Sequence, residues 1–393
     1  MENKTEYQSQ LFANRLKKKY KELRKWARKN RITCYRLYNK DIPEIPVSLD
    51  LYEFLPNQIN NTLEVAKFLT EQNKEICANN LQVEQEIKER TFAVLYLYER
   101  PYQKSDDEEE QWLSAIGNKA CEVLGIPQNH LIKKMRKHQK GTNQYEKSSL
   151  SDDVSSIPYL EYENIQEQGQ IFKINLSSYL DNGLFFDHRP LRTIIRDTSS
   201  KKSVLNLFCY TGSFSVYAAQ GNASTVESVD LSNTYLDWAK QNMQLNGFSD
   251  KNKYIFTRSD CIKFLQEKAV SLKKMINSEN QKSEPPQEIK NSVQTYDIII
   301  LDPPTFSNSK NTYNVLDINK DWPQLVKDSL NILNKNGILY FSTNSERLKF
   351  NLEQLPKNTV SGFSIECEDI TALTIPNDYA NTKPHRCWKF TVK

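Results

Sequence analysis

From residue 203 onward the chain alternates short apolar runs with helical stretches, and no other feature constrains the fold as tightly. The runs are SVLNLF (203–208), STVESVD (224–230), YIFTRSD (254–260), YDIIILD (296–302) and GILYFST (337–343). Helical stretches at 213–221, 232–246, 261–275 and 321–335 separate them. A parallel partner strand can be laid down only after a crossover, so strict alternation predicts a parallel, doubly wound α/β sheet. Two more strands, GFSIECEDI (362–370) and RCWKFTV (386–392), have only a loop between them. They predict an antiparallel closing hairpin and bring the sheet to seven strands.

The residues before this pattern read differently. VSLDLYEFL (47–55) and FAVLYLYER (92–100) alternate as strands buried on one side do, and a charged helical insertion fills residues 60–90 between them. An acidic linker at 106–110 leads to a helix ending near Gly125, and SSLSDDVSS (148–156) reads as a loop. The organisation predicted is a smaller, basic α+β region over 1–165 and an α/β domain over 166–393, with a polar surface excursion at 268–294.

Net charge is only +4 but is unevenly spread. Residues 11–40 hold twelve Lys or Arg against one acid, Glu22. Leu16, Tyr20, Leu23 and Ala27 fall at helical spacing, which predicts an amphipathic helix over 11–30 with a cationic outer face. Such a density repels itself without a polyanion, so a phosphate backbone is the expected partner. The candidate RNA contacts are Arg15, Lys17, Lys18, Lys19, Arg24, Lys25, Arg28 and Lys29 on that helix, Arg136, Lys137 and Lys140 in a second basic stretch at 133–140, and Lys310. An anionic membrane competes for the same charges. The apolar stripe is modest, though, and no stretch approaches the ~20 apolar residues of a membrane span. Mean hydropathy is −0.69, and MENKTEYQSQ lacks the apolar core of a secretion signal, so a cytoplasmic protein is expected. The seven cysteines form no CxxC pair and read as reduced thiols, and four scattered histidines predict no metal site.

Three strands end in acids, Asp230, Asp260 and Asp302, and the carboxyl edge of such a sheet is where ligands bind. The turn after the first strand, FCYTGSF, has one glycine where a pyrophosphate-binding fingerprint needs several, which disfavours a nicotinamide dinucleotide. S-adenosylmethionine carries no phosphate and suits this turn better. The closing hairpin likewise is the plan of class I (Rossmann-like) methyltransferases. Asp230 is expected to take the ribose hydroxyls, Asp260 to lie near the adenine amino group, and Asp302 near the methionine end and the target base. Each acid can alternatively cap a helix, Asp230 above all, since Leu231 and Ser232 follow it. The candidate cofactor-binding set is Phe186, Asp187, Arg189, Asn206, Phe208, Tyr210, Thr211, Gly212, Ser213, Asp230, Leu231, Ser232, Asp260, Cys261 and Asp302. In LDNGLFFDHR (180–189), Gly183 permits a turn, Phe185 and Phe186 form a flat wall, and Arg189 suits a carboxylate clamp.

FANRL (12–16), ITCYRLYNKDIPEIPVSLDLY (32–52), RKHQKGTNQYEK (136–147), LDNGLFFDHR, LNLFCYTGSFSV (205–216), VESVDLSNTYLDWAKQNMQLNG (226–247), SDCIKFL (259–265), DIIILDPPTFSNSK (297–310) and HRCW (385–388) occur in order. Together they resemble the C-terminal half of the bifunctional large-subunit rRNA methyltransferases, the half that makes N7-methylguanosine. The resemblance implies a 23S rRNA or large-subunit precursor substrate. That family's N-terminal half, an RNA-binding module plus a guanine-N2 methyltransferase, has no counterpart in these residues. The two insertions and the Thr343-Asn344 strand end also depart from the pattern.

The residues bear on the reaction independently. Cytosine-C5 methylation needs a cysteine nucleophile, yet FSTNSE (341–346) after the fifth strand has none. Guanine N7 has an in-plane lone pair and needs only positioning. Asp302, Pro303, Pro304 and Phe306 can supply that, with Phe306 stacking the base and Asp302 and the Pro303 carbonyl accepting from its edge. The expectation is an S-adenosylmethionine-dependent rRNA guanine-N7 methyltransferase. Cytosine-C5 or guanine-N2 methylation, or a non-catalytic RNA-binding assembly factor, are the alternatives.

Overall fold

The computed structural model describes residues 2–98, 105–136, 163–282, 284–287, 289, 293–307, 315–380 and 382–393. Its chain forms two compact units, Met1–Phe186 with Asn377–Thr382, and Asp187–Pro376 with Lys383–Lys393. The change of unit thus falls between Phe186 and Asp187, beyond the boundary expected at residue 165. The hairpin β5 (Glu163–Glu167) and β6 (Gln170–Ile174) stays with the first unit, where Thr33 Oγ1 donates to the Gln166 carbonyl at 2.9 Å.

The first unit is built on four strands, β1 (Cys34–Asn39), β2 (Val47–Glu53), β3 (Thr91–Tyr98) and β4 (Leu131–Arg136), in that order. The first three pair antiparallel, and β4 joins β3 in parallel through helix α4 (Asp106–Leu124). β2 and β3 are buried along almost their whole length, not on one side as their alternation suggests. The long helix α1 (Glu2–Lys29) starts well before residue 11, and Phe12, Leu16, Leu23 and Ala27 bury its inner face in a core shared with Trp112 and Ile116 of α4. Residues 106–110 are the first turns of α4 and not a linker. Ser105 caps it with a reciprocal Glu108 bond, and acids are favourable at a helix N-terminus. Gly125 ends it at φ 68°. The insertion between β2 and β3 folds as α2 (Thr62–Cys77) and α3 (Leu81–Glu89). The loop expected at 148–156 lies outside the described residues.

The second unit carries the alternating pattern: α5 (Arg189–Thr198), β7 (Ser203–Leu207), α6 (Ser213–Gln220), β8 (Thr225–Asp230), α7 (Asn233–Leu245), β9 (Tyr254–Arg258), α8 (Cys261–Asn280) and β10 (Tyr296–Leu301). A short ladder of β11 (Phe306–Ser307) with β12 (Leu316–Asp317) comes next, then α9 (Ile318–Asn331), β13 (Leu333–Thr343), β14 (Ile365–Asp369), α10 (Thr371–Thr374) and β15 (Arg386–Val392). The seven-stranded order is β14-β15-β13-β10-β7-β8-β9, with β15 alone antiparallel to its neighbours. The strand order reverses between β7 and β10, so a ligand crevice opens at their carboxyl ends. α8 runs through residue 280, so half of the surface excursion expected at 268–294 is helix. Ala269 and Leu272, three residues apart, bury its inner face.

Candidate active site

The turn from β7 into α6 is built from uncommon backbone. Phe208, Tyr210 and Gly212 have φ of 54°, 50° and 73°, and left-handed conformations are costly for aromatic residues. The surroundings hold them there. Phe208 N–H donates to Cys261 Sγ at 3.2 Å, and Tyr210 N–H to Asp230 Oδ2 at 3.0 Å. A Cβ at Gly212 would lie 2.8 Å from that of Ala239, so only glycine lets the turn pack on α7. Thr211 is buried, its carbonyl accepting from Asn242 Nδ2 at 2.8 Å. Ser213 opens α6. The buried Asn206 amide donates to Ser215 Oγ at 2.9 Å, inside the fold.

Asp230 ends β8 with both oxygens fixed: Oδ1 also accepts from Ser232 N–H at 2.9 Å. Burial raises its pKa, opposed by the backbone N–H groups of Ser232 and Tyr210. Ser232, not Asp230, caps α7, accepting from Tyr235 N–H at 3.3 Å. Asp260 caps α8 through Oδ1, 2.8 Å from Ile262 N–H. Leu231 is half-buried beside these groups. The Cys209 and Cys261 thiols are buried and pushed well above the ordinary range by that burial, with Asp230 adding to it.

At the end of β10, Asp302 Oδ1 accepts from Ser342 Oγ at 2.5 Å, and Oδ2 lies 3.4 Å from His188 Nε2. Pro303 is buried and Pro304 half-buried, which ends the strand and stiffens the backbone leading to β11. Thr305 Oγ1 donates to Asn344 Oδ1 at 2.5 Å, and Phe306 projects from β11 with 40% of its surface exposed.

Behind Asp302 stands a cluster that sequence reasoning missed. His385 Nδ1 is 3.0 Å from Asp187 Oδ2, its Nε2 is 2.9 Å from Thr374 Oγ1, and its ring stacks on His188 at 4.3 Å and 14°. His188 and His385 sit in two of the quoted motifs, LDNGLFFDHR and HRCW. They are half of the chain's four histidines, which was the available signal. Asp187, His188 and His385 are close enough to share a metal ion. Their imidazole planes, however, lie nearly parallel, so the in-plane lone pairs run side by side and do not converge. The arrangement suits proton sharing. Burial holds His188 below the ordinary imidazole pKa, against the pull of Asp302 and Asp187. Arg189 is buried at the start of α5. Phe186 belongs to the first unit, its ring 5.2 Å from that of Tyr52.

The basic helix divides by exposure. Arg15 and Lys19 both pair with Asp41 at 2.8 Å, and Arg24 pairs with Glu84 at 3.1 Å. Burial lowers the pKa of half-buried Arg28. Lys17, Lys18, Lys25 and Lys29 are exposed. In the second basic stretch Lys134 is buried and donates to the Tyr179 carbonyl at 2.5 Å, so it belongs to the interior. Arg136 ends β4; Lys137, Lys140 and Lys310 lie outside the described residues.

The family model of S-adenosylmethionine-dependent methyltransferases matches residues 119–365. The chain belongs to that family. Ribosomal RNA large subunit methyltransferase K of Neisseria meningitidis serogroup B is 34% identical over 97% of this chain and 87% of its own length. Ribosomal RNA large subunit methyltransferase K/L of Magnetococcus marinus is 36% identical over 98% of this chain but 43% of its own length. The chain thus spans less than half of the K/L proteins and most of the K protein, and it belongs with them as a methyltransferase of the K and K/L family. Among solved structures, a methyltransferase complexed with S-adenosylhomocysteine superposes with a TM-score of 0.61 at 20% identity, covering 98% of this chain and 82% of its own. A Streptococcus mutans methyltransferase gives 0.59 at 19%, with 98% and 81% covered. These likenesses show the fold. As a methyltransferase of this family the chain takes S-adenosylmethionine as cofactor. The strained turn and the half-buried Asp230 fit that group: the turn brings backbone to the switch point, and each carboxylate oxygen keeps a lone pair for a hydroxyl.

Proposed function

We propose that this chain methylates N7 of a guanine in the large-subunit ribosomal RNA, in the cytoplasm, on 23S rRNA or a precursor particle. One observation supports the reading: among the described residues, the reacting end of the sheet offers positioning groups and no ionised thiol to act as nucleophile. Cys209, Cys261 and Cys387, the last on β15 and influenced by Asp302, are buried neutral thiols, and FSTNSE after β13 has no cysteine. Cytosine-C5 methylation, which proceeds through thiolate addition, therefore lacks its nucleophile there. Guanine N7 attacks with its own lone pair and loses no proton.

S-adenosylmethionine supplies an electrophilic methyl group on a sulfonium. The chain's residues bind and orient. Asp230 accepts from the ribose hydroxyls, the open oxygen of Asp260 faces the adenine amino group, and Phe208, Tyr210, Thr211, Gly212 and Ser213 form the backbone cradle. Asp187, Arg189 and Asp302 line the methionine end, with Leu231 and Ser232 beside the ribose. Asn206 and Cys261 act from behind this surface, through Ser215 and the Phe208 N–H. Phe306 stacks the target base, and a stacked base gains about 1–3 kcal/mol, which offsets part of the cost of extruding it. Exposed Lys17, Lys18, Lys25 and Lys29 meet phosphates, together with Arg136, Lys137, Lys140 and Lys310. The names of the K and K/L relatives support the rRNA substrate. A separate protein would supply any guanine-N2 methylation.

The test is nucleoside mass spectrometry of large-subunit rRNA incubated with the protein and methyl-labelled S-adenosylmethionine. Label is expected in N7-methylguanosine. Label in 5-methylcytidine or N2-methylguanosine, or none on rRNA or precursor particles, overturns the reading.

A further inference from the structure

The first unit contains an open depression whose lining runs up to Phe186 of the expected cofactor set. Its floor is a buried polar group set. Arg36 on β1 donates to both oxygens of Asp50 on β2, Nε to Oδ1 at 2.7 Å and Nη2 to Oδ2 at 2.8 Å. Tyr379 covers the guanidinium, ring centroid to Cζ 5.0 Å. Burial opposes the charge, but Asp50 beside it keeps the guanidinium charged. Two of its five N–H groups are used by Asp50, and three remain.

Asn182 decides what the rest of the wall presents. Lys134 Nζ donates to Asn182 Oδ1 and so fixes the amide, because an ammonium has nothing to accept with. Asn182 Nδ2 must then donate, and it does so to Tyr52 and Tyr96, each at 2.8 Å. Both phenols therefore accept from the amide and keep their own O–H protons. Among the described residues no acceptor takes that of Tyr52. Tyr52 is 2% exposed, and burial raises its pKa well above 10, so the proton stays on. A buried O–H without an acceptor is costly unless something visits it.

The same depression is lined by Tyr52, Asp181, Asn182, Phe185, Phe186 and Tyr379, among others, around the Arg36–Asp50 pair. Phe185 is 43% exposed, an aromatic face held open at the rim. Donors, a carboxylate and flat rings side by side select a planar ligand that carries acceptors and donors on adjoining atoms. Guanine is that base: O6 and N7 accept from guanidinium and phenol, while N1–H and the 2-amino group donate to a carboxylate. Adenine puts a donor where guanine has O6.

Resting on the reading that the chain acts on RNA, we infer that this depression in the first unit binds an unpaired guanine of the RNA other than the methyl acceptor. Its O6/N7 edge faces Tyr52 and Arg36, and its N1–H edge faces Asp181. An N7 engaged by donors is not free to be methylated, so the bound base is one that is recognised.

Protein-observed NMR titration of the full chain with guanosine 5′-monophosphate and adenosine 5′-monophosphate tests this. Saturating S-adenosylhomocysteine keeps both nucleotides out of the cofactor site. The wild type is expected to bind the guanine nucleotide about tenfold tighter. Tyr52→Phe and Asp181→Asn should each erase most of that preference, and Tyr52→Phe keeps the ring that packs on Phe186. Equal binding of the two nucleotides, or a preference untouched by both variants, overturns the inference. A Tyr52-dependent preference in a protein that leaves no N7-methylguanosine in rRNA keeps the pocket and removes the reaction. N7 methylation without any preference does the reverse.

Discussion

His385 Nδ1 lies 3.0 Å from the Asp187 carboxylate, joining the residue just before the last strand to one 198 positions earlier. The pair is buried on the histidine side, and Thr374 holds the other ring nitrogen at 2.9 Å. Deleting one partner of such a contact leaves a desolvated carboxylate short of a donor, at a cost of about 1–3 kcal/mol. His385→Ala is expected to lower the unfolding free energy read from urea denaturation by that amount and to weaken S-adenosylmethionine binding. His385→Asn, whose amide nitrogen falls near Nδ1, should restore most of both. Equal loss in the two variants would show that the ring's packing on His188, and not its bond to Asp187, is what counts.

The stacked partner titrates. Burial is the largest influence on His188 and lowers its pKa below 6.5; Asp302 and Asp187 pull it back up, and His385 and Arg192 add to the lowering. In the unfolded chain the imidazole takes a proton near pH 6.5, whereas the folded protein takes it only at lower pH. The unfolded state thus binds more protons in that window. Stability contributed by His188 is therefore complete above about pH 6.5 and declines as pH falls towards the folded pKa. Denaturation midpoints between about pH 5 and 7.5 should fall on acidification, and His188→Gln should flatten that slope. An unchanged slope would assign the acid loss to other groups.

Cys209→Ala and Cys261→Ala test the absence of covalent chemistry. Their thiols are neutral and buried, so per folded molecule each variant should keep methyl transfer within about threefold of wild type. Cys261→Ala removes the acceptor of the Phe208 N–H at 3.2 Å and should raise the KM for S-adenosylmethionine more than it lowers kcat. A loss of roughly a thousandfold or more in kcat, the size expected when a nucleophile is removed, would return cytosine C5 to consideration.

Asp230 is the acid whose role the fold isolates best, since Ser232 and not Asp230 caps α7. Asp230→Asn puts an amide where two backbone N–H groups now converge on carboxylate oxygens. Calorimetry should show the S-adenosylmethionine Kd rising by about tenfold or more. An unchanged Kd would make Asp230 a support for the Tyr210 turn alone.

The sheet was legible because its signal is one-dimensional: apolar strands and helices in strict alternation leave few topologies, and RCWKFTV matched β15 (Arg386–Val392) residue for residue. Places decided by three-dimensional partners were not. β2 and β3 alternate in sequence yet are covered on both faces, and polarity at 268–294 hid Ala269 and Leu272 at helical spacing. The acids ending β8, β9 and β10 could be named from position, but not which would cap a helix, because a cap depends on local backbone direction. The Asp187–His385 contact spans half the chain, and no short-range pattern encodes it.

The basic helix shows the same limit and yields a sharper experiment. Twelve cations in residues 11–40 looked equivalent, yet Arg15 and Lys19 share the Asp41 carboxylate and Glu84 takes Arg24. The charges left to meet phosphate on α1 are the exposed Lys17, Lys18, Lys21, Lys25 and Lys29. Each contact to single-stranded RNA adds about 0.7 to the slope of log affinity against log salt, and each to a duplex about 0.9. Lys17→Gln with Lys18→Gln and Lys25→Gln should reduce the slope by roughly 2–3 and weaken rRNA binding at about 50 mM salt far more than at about 200 mM. Lys19→Gln leaves the slope nearly unchanged, because its charge is already spent on Asp41, and costs stability instead. Filter binding across a salt series separates the two behaviours. A slope that falls equally for Lys19 and for the exposed lysines would mean that RNA dissolves the Asp41 pairs on docking, and a slope unmoved by the triple variant would place the phosphate contacts off this helix.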